Sequence, residues 1–393
     1  MSARDIDITI YGATGFTGAL VAEYLAGLGA EDADLKLAFA GRNGDKLRAV
    51  AEANGCADRV TLIEADAADR PALDALAARS KVVIAMAGPY AQYGSELVAA
   101  CVEAGTDYVD LCGEPQWMRA QIDAQEARAK ETGARIVFSC GFDSIPSDLG
   151  VVHLQNLAQD KFGAAFPRVK GRVERIQGGP SGGTVASLKG STKAAMADPA
   201  VRDVMLSAFG LTPGFEGPKQ PHGQAPVEDE DLGTWAAPFV MAVINVKNVH
   251  RTNVLGGLPF GEDFVYDEML VTGPGEKGAE MAKQIASMGP GGGMGESKLQ
   301  PGDGPSKEER EAGFFTIALH GSGAGENTGV VRVSGDKDPG YGCTSMMISQ
   351  SALCLLRDGV EAGGGIWTPG TVMGDKLISR MQDAGVLTFE AAV

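Results

Sequence analysis

Ile6-Asp7-Ile8-Thr9-Ile10-Tyr11, followed by Gly12-Ala13-Thr14-Gly15-Phe16-Thr17-Gly18, is the stretch that decides the fold. The first six residues are apolar and β-rich and predict a strand. Residues 16–28 carry helical spacing. A glycine turn between a strand and a helix is the context a dinucleotide-binding motif needs. Gly12 allows the tight turn, Gly15 lets the backbone approach a pyrophosphate, and Gly18 lets the helix pack closely on the strand. The helix N-terminus adds free N–H groups and a positive dipole end. The stretch therefore predicts a phosphate site built from Gly12, Thr14, Gly15, Phe16, Thr17 and Gly18.

Outward from it, apolar runs at 35–40, 60–64, 81–87, 108–111 and 134–140 alternate with helical stretches at 45–53, 71–78, 94–104 and 115–132. Such alternation predicts βαβ units and a Rossmann-type, doubly wound parallel sheet of the α/β class. After Gly141 the rhythm changes. A helix is expected at 147–157, then β-type runs at 168–176, 239–249, 262–272, 314–321 and 329–334, with helices near 184–209 and 278–287. Strands that follow one another without regular helices predict an inserted α+β domain with a mostly antiparallel sheet. Gly- and Pro-rich stretches at 211–226 and 289–305 read as connectors or as a lid. The apolar tail at 342–356 reads as a helix that packs back on the first domain. The expected boundaries are 1–142, 143–338 and 339–393.

Composition narrows the partners. The chain has 393 residues, 44% hydrophobic and 22% charged, which suits a globular protein with a full core. Its formal net charge of −17 repels phosphate backbones, so nucleic acid is excluded as a partner. No run of about 18 apolar residues offers a transmembrane segment. MSARDID has no basic region followed by an apolar one, so no signal peptide is read and the expected location is cytoplasmic. Cys56, Cys101, Cys112, Cys140, Cys343 and Cys354 form no C-x-x-C pair, and no metal site is expected.

The second strand ends Phe39-Ala40-Gly41-Arg42-Asn43. An acidic residue at that tip would hold a ribose 2′-hydroxyl, whereas an arginine can grip a 2′-phosphate bidentately. Arg42 and Asn43 therefore point to NADP(H) rather than NAD. Asp66 follows strand three and reads as an adenine contact or a helix cap. Gly88-Pro89-Tyr90 follows strand four, which places Tyr90 at the nicotinamide half of the crevice. No tyrosine is followed by a lysine four residues later, so the Tyr-x-x-x-Lys acid system of short-chain dehydrogenases is absent. The remaining acid candidates lie on loops at strand tips: Asp110, Cys112 and Glu114, then Cys140 and Asp143. Asp143 and Glu114 also read as helix caps, and Asp148 as structural. Ser181 and Thr184, in a glycine-rich turn, are candidate substrate contacts. His153 reads as a helix residue, His250 and His320 as strand residues, and no triad is legible.

Eight segments, in order along nearly the whole chain, carry a resemblance. They are GATGFTG (12–18), AGRN (40–43), GPY-x-x-YG (88–94), YVDLCGEPQW (108–117), CGFDSIPSDLG (140–150), SGGT (181–184), PGDGPSKEER (301–310) and GDKDPGYG (335–342). With them the chain resembles the saccharopine dehydrogenase-like oxidoreductases, in particular the trans-acting enoyl reductase branch. The resemblance implies an NADP-binding Rossmann domain completed by the C-terminal segment. It also implies an inserted domain that covers the active site and helps form a homodimer. The implied reaction is hydride delivery to a carbon–carbon double bond of a lipid or polyketide chain.

An enoyl reductase needs a nicotinamide over the β-carbon, a donor for the developing enolate and a proton for the α-carbon. Tyr90, Asp143 and Cys140 are the candidate catalytic residues, and the partner is a small-molecule or lipid substrate. Two alternatives stand beside this reading. An imine or carbonyl reductase of a small polar metabolite predicts clustered arginines; Arg168, Arg172 and Arg175 are the only dense set, and strand spacing would not turn all three the same way. A non-catalytic NADP-binding scaffold predicts tight cofactor binding without turnover.

Overall fold

Ile8, Thr9 and Ile10 are all fully buried, with no alternation between faces. A strand covered by helices on both sides requires that pattern. In the computed structural model, which describes residues 4–29, 34–289, 298–299 and 302–393, this strand is β1 (Ile6–Tyr11). It is followed by α1 (Phe16–Ala26), β2 (Leu37–Gly41), α2 (Gly44–Ala53), β3 (Thr61–Glu64), α3 (Arg70–Arg79) and β4 (Ser80–Ala85). Then come α4 (Tyr90–Tyr93), α5 (Ser95–Ala104), β5 (Asp107–Asp110), α6 (Pro115–Thr132), β6 (Arg135–Val137) and α7 (Ile145–Phe162). The second part holds β7 (Arg168–Gln177), α8 (Gly182–Ala197), α9 (Pro199–Leu206), β8 (Val227–Asp229), β9 (Thr234–Pro238), α10 (Ala242–Leu255), β10 (Val265–Gly273), α11 (Gly275–Ser287), α12 (Lys307–Glu311), β11 (Phe314–Ser322) and β12 (Thr328–Gly335). The chain closes with α13 (Thr344–Arg357), β13 (Gly365–Trp367), α14 (Pro369–Val372), α15 (Gly374–Asp383) and β14 (Thr388–Ala392).

The first sheet has the order β13-β6-β5-β4-β1-β2-β3. Every neighbouring pair in it is parallel. The chain order reverses between β1 and β4, and ligands of open α/β sheets bind at that switch point, beyond the strands' C-terminal ends. A buried Thr9 Oγ1–Ser80 Oγ hydrogen bond of 2.6 Å ties the two strands together. Strand β6 is shorter than the apolar run 134–140. Its continuation leaves the ladder at Ser139, whose φ is 60° and whose amide bonds the side chain of Asp110 at the end of β5, while the Cys140 amide takes the Asp110 carbonyl.

The second sheet has the order β14-β12-β11-β7-β10-β9-β8. It is antiparallel except at β7–β10. Its inner face carries Val169, Val173, Ile317, Leu319, Val331 and Val333, all fully buried. Helix α7 packs on that face, where Gly150 lies against Val333 and Leu319. The outer face carries Arg168, Lys170 and Arg172, which are spent in ion pairs with Asp229, Asp231 and Asp267. Burial pushes Asp229 up, but Lys170 and Arg172 outweigh it and hold the carboxyl below its ordinary range.

One expected strand is a helix. The β-branched run at 239–249 forms the turn after β9 and then α10, so His250 is a helix residue. Helix α10 is buried from Ile244 through Asn253 apart from Val246, and a helix buried on nearly all sides shows no amphipathic period. The C-terminal segment divides between the layers. Helix α13 packs on α1 and β4, and β13 extends the first sheet, whereas β14 extends the second. All six cysteines are buried and unpaired. Among the described residues no helix is long and apolar enough to cross a membrane, and no group of three or more His, Cys, Asp or Glu stands ready to hold a metal.

Candidate active site

The glycine turn has the shape its sequence requires. Gly12 sits at φ 87°, a conformation that L side chains rarely adopt. A methyl group there would also press on the backbone at Met86 and Ala87, and one at Gly18 would overlap the carbonyl oxygen of Gly12. Helix α1 thus starts directly on the turn. Its N-cap, Gly15, offers no side-chain cap, and no acid stands in the first turn. The first-turn amides of Phe16, Thr17 and Gly18 have no helical acceptor. Thr14 and Gly15 are exposed to the crevice.

Arg42 lies exposed at the tip of β2 and, among the described residues, makes no hydrogen bond or ion pair. Burial and the charge of Asp66 raise the Tyr11 phenol to about 12, while Arg42 opposes them, so all three groups meet at the β1–β3 tips. Asp66 accepts from the amide of Ala68 at 2.9 Å, whereas Asp69 caps α3. Asn43 caps α2, accepting from the Lys46 amide at 2.9 Å. A 2′-phosphate fits an uncommitted guanidinium, and a diphosphate fits a helix start with free amides. The residues present therefore fit NADP(H).

At the tip of β4, Gly88 is exposed and the Gly88–Pro89 bond is cis. The Tyr90 phenol turns away from the crevice. It donates to Ala85 O at 2.9 Å, accepts from Leu111 N at 3.1 Å and is buried. Tyr90 thereby locks the β4 and β5 tips together and has no proton to offer a ligand. Cys140 is fully buried, its Sγ facing the carbonyls of Val137 and Phe138, and burial holds the thiol well above its ordinary range. Cys112 is likewise sealed.

The carboxyl groups sort by their partners. Asp110 accepts from Tyr108 Oη and from the amides of Cys112 and Ser139 at 2.9–3.0 Å, so it is a structural tie. Asp148 accepts from Thr252 Oγ1 at 2.5 Å and Gly370 N at 2.7 Å, joining α7 to α10 and α14. Glu114 occupies the N-cap position of α6 but does not bond its own helix. Its carboxylate takes the amides of Tyr90 and Ala91 at 2.8 and 3.1 Å and the Ser187 hydroxyl at 2.8 Å, which moors α8 over the strand tips.

Asp143 differs from all of these. It does not cap α7, whose N-cap is Ser144. Its loop is held by Thr344, which accepts from the Phe142 amide at 2.9 Å. The side chain is half-buried, makes no hydrogen bond among the described residues, and lies beside the β5 tip, where a methyl on Gly113 would sit 2.8 Å from Oδ2. Burial, with Glu268 adding a like charge, raises its pKa to about 7.

Above this point stands Tyr341, which sequence reasoning passed over. The Ser181 amide donates to its phenol, Thr184 Oγ1 lies 3.0 Å from it, and its ring meets Phe16. It also feels the charge of Asp143. Ser181 and Thr184, the start of α8, are thus brought to the glycine turn by a tyrosine from the far end of the second sheet. The signal available in sequence was the GDKDPGYG segment itself, in which Asp338 folds the turn by accepting from the amides of Tyr341 and Gly342 at 2.9 and 2.7 Å.

The family described as the saccharopine dehydrogenase NADP binding domain matches residues 8–137. A trans-acting enoyl reductase of Mycobacterium tuberculosis is 36% identical, over 98% of this chain and 97% of its own. The chain belongs to the trans-acting enoyl reductase family, within the saccharopine dehydrogenase-like proteins. Another family member from M. tuberculosis, provisionally assigned the same activity, is 38% identical, and the Mycobacterium ulcerans enzyme is 33% identical, both with 98% and 97% coverage. The apo saccharopine dehydrogenase (L-Glu forming) of Saccharomyces cerevisiae shares the fold, with a TM-score of 0.56 at 14% identity over 98% of this chain and 99% of that one. As an enoyl reductase family member with this domain, the chain is an oxidoreductase whose cofactor is NADP(H).

Proposed function

We propose that this protein reduces the carbon–carbon double bond of a 2-enoyl chain of lipid or polyketide type, with Asp143 as the proton donor. The observation that carries the reading is Asp143 itself. Among the described residues it is the one half-buried carboxyl at the β5 and β6 tips without a hydrogen-bond partner, and its pKa of about 7 leaves much of it protonated at neutral pH. Bound NADPH supplies the hydride. Gly12, Thr14, Gly15, Phe16, Thr17, Gly18 and Arg42 hold the phosphates, with Asn43, Asp66, Gly88 and Pro89 shaping the crevice rim. Asp143 holds a proton for the α-carbon. The hydroxyls of Tyr341 and Thr184, with Ser181 beside them, are donors for the developing enolate. Next to Asp143 in the chain, the buried Phe142 meets Phe315 at 4.9 Å and Phe239 at 6.4 Å edge to face, so the loop that carries Asp143 is backed by an apolar cluster.

The arginines argue against a polar amino-acid substrate. Arg168 and Arg172 lie on the outer face of the second sheet, committed to Asp267 and Asp229, and Arg175 lies over the Phe314 ring at 4.5 Å. Glu268, which faces Asp143, is on the opposite face. Among the described residues these three arginines therefore form no carboxylate clamp at the strand tips. Division near residues 142 and 338, a homodimer and a cytoplasmic location complete the reading.

The test is NADPH oxidation with 2-enoyl thioesters and with lysine-derived imines. Turnover of the thioesters alone is expected. Turnover of the imines alone transfers the reading to an imine reductase, and tight NADPH binding with no turnover of either leaves a scaffold.

A further inference from the structure

Arg310 is far from the glycine turn in sequence, yet its guanidinium lies 5.6 Å from the ring centre of Phe16, the first residue of α1. It is held there deliberately. Helix α12 opens with a capping box, in which the Ser306 hydroxyl accepts from Glu309 N at 3.2 Å and the Glu309 carboxylate accepts from Ser306 N at 2.7 Å. Arg310 O accepts the amide of Asp338 at 2.9 Å, and Arg310 Nη1 donates to Pro305 O at 2.7 Å. The preceding segment is pressed onto the turn, since a methyl on Gly304 would overlap the Phe16 ring.

Among the described residues Arg310 forms no ion pair, although the chain carries a net charge of −17. The acid whose charge reaches it, Asp338, spends its carboxylate on the amides of Tyr341 and Gly342. The turn that receives the phosphates, Gly12 to Gly18, has amides and a helix dipole but no basic side chain of its own.

We propose that Arg310, carried by the second domain, is the side-chain cation for the diphosphate of the bound dinucleotide. This rests on the NADP reading of the glycine turn. A guanidinium suits the task because it is always charged and offers several donors in a fixed fork. The arrangement also makes the cofactor site a joint product of both domains. The 302–310 segment and Tyr341 both rest on Phe16, and Tyr341 in turn holds Ser181 and Thr184.

The experiment titrates wild type, Arg310→Met, Arg310→Ala and Arg310→Lys with NADPH by fluorescence, and with 2′-AMP, which has a 2′-phosphate and no diphosphate. Methionine keeps an unbranched apolar stem over Phe16. Arg310→Met and Arg310→Ala are expected to bind NADPH roughly 10–100-fold more weakly, with Arg310→Lys between them and 2′-AMP affinity unchanged throughout. Arg310→Met binding NADPH as wild type does, or losing both ligands by the same factor, overturns the proposal. Wild-type protein that binds neither ligand sinks the NADP reading and the proposal with it.

Discussion

The rings of Phe16 and Tyr341 meet edge to face, 5.2 Å apart at 79°, which joins the first residue of the cofactor helix to the turn that closes the second sheet. Through the Tyr341 phenol the same contact reaches the Ser181 amide and the Thr184 hydroxyl. The glycine turn and the start of α8 are therefore joined through Tyr341.

Tyr341→Phe keeps the ring contact and removes only the phenol. It leaves the Ser181 amide buried without its acceptor, at a cost of about 1–3 kcal/mol. The expected outcome is faster proteolysis near residues 179–185 and a fall in kcat/KM, with NADPH affinity within about twofold of wild type. Unchanged proteolysis and kinetics would show that the phenol has no such role.

Asp143→Asn should lower kcat roughly 100-fold or more while leaving NADPH binding intact. In the wild type the protonated carboxyl is the active form, so the rate should be level in mild acid and fall as pH rises through about 7. Single-turnover NADPH oxidation across pH checks this. A rate that instead rises through pH 7 would assign Asp143 the role of a base.

Arg42→Ala should erase the preference for NADPH over NADH, at roughly 10–100-fold for the lost charged hydrogen bonds to a 2′-phosphate. NADH affinity should hardly move. Equal affinities for the two cofactors in wild-type titrations would remove Arg42 from the site.

Lys247 is buried beneath α9, its Nζ donating to Met205 O and Val243 O at 2.8 Å, and burial lowers its pKa to about 7. The unfolded lysine titrates near 10.4, so between the two values the unfolded state binds more protons and stability rises with pH. Relative to Lys247→Met, the wild type should therefore gain stability between about pH 7 and 10. Denaturant unfolding of both proteins across that range measures the difference, and parallel curves would refute it.

Legibility followed the range of the interactions. Strands β1, β2, β4 and β5 were readable because burial on both faces leaves a continuous apolar imprint, and β3 because short linkers to helices frame it. Helix α10 was not, because Val243, Ile244, Val246 and Val249 look like strand residues unless the surrounding helices and sheet are known. The acids show the same limit. Asp110, Glu114, Asp143 and Asp148 are equivalent in sequence, all on loops or helix starts at strand tips. Only the fold reveals that three accept two or more hydrogen bonds while Asp143 has no partner among the described residues.

The chain's own sequence determined the dinucleotide turn, the arginine at the tip of the second strand and the parallel, helix-covered character of the first sheet. Glycine sterics, a strand-tip charge and strand–helix alternation are all settled within a few dozen residues. The tertiary structure alone decided which of these carboxyls is left without a hydrogen-bond partner among the described residues, and it brought Tyr341 and Arg310 onto Phe16. Burial and hydrogen-bond competition are properties of neighbours that sequence places far apart.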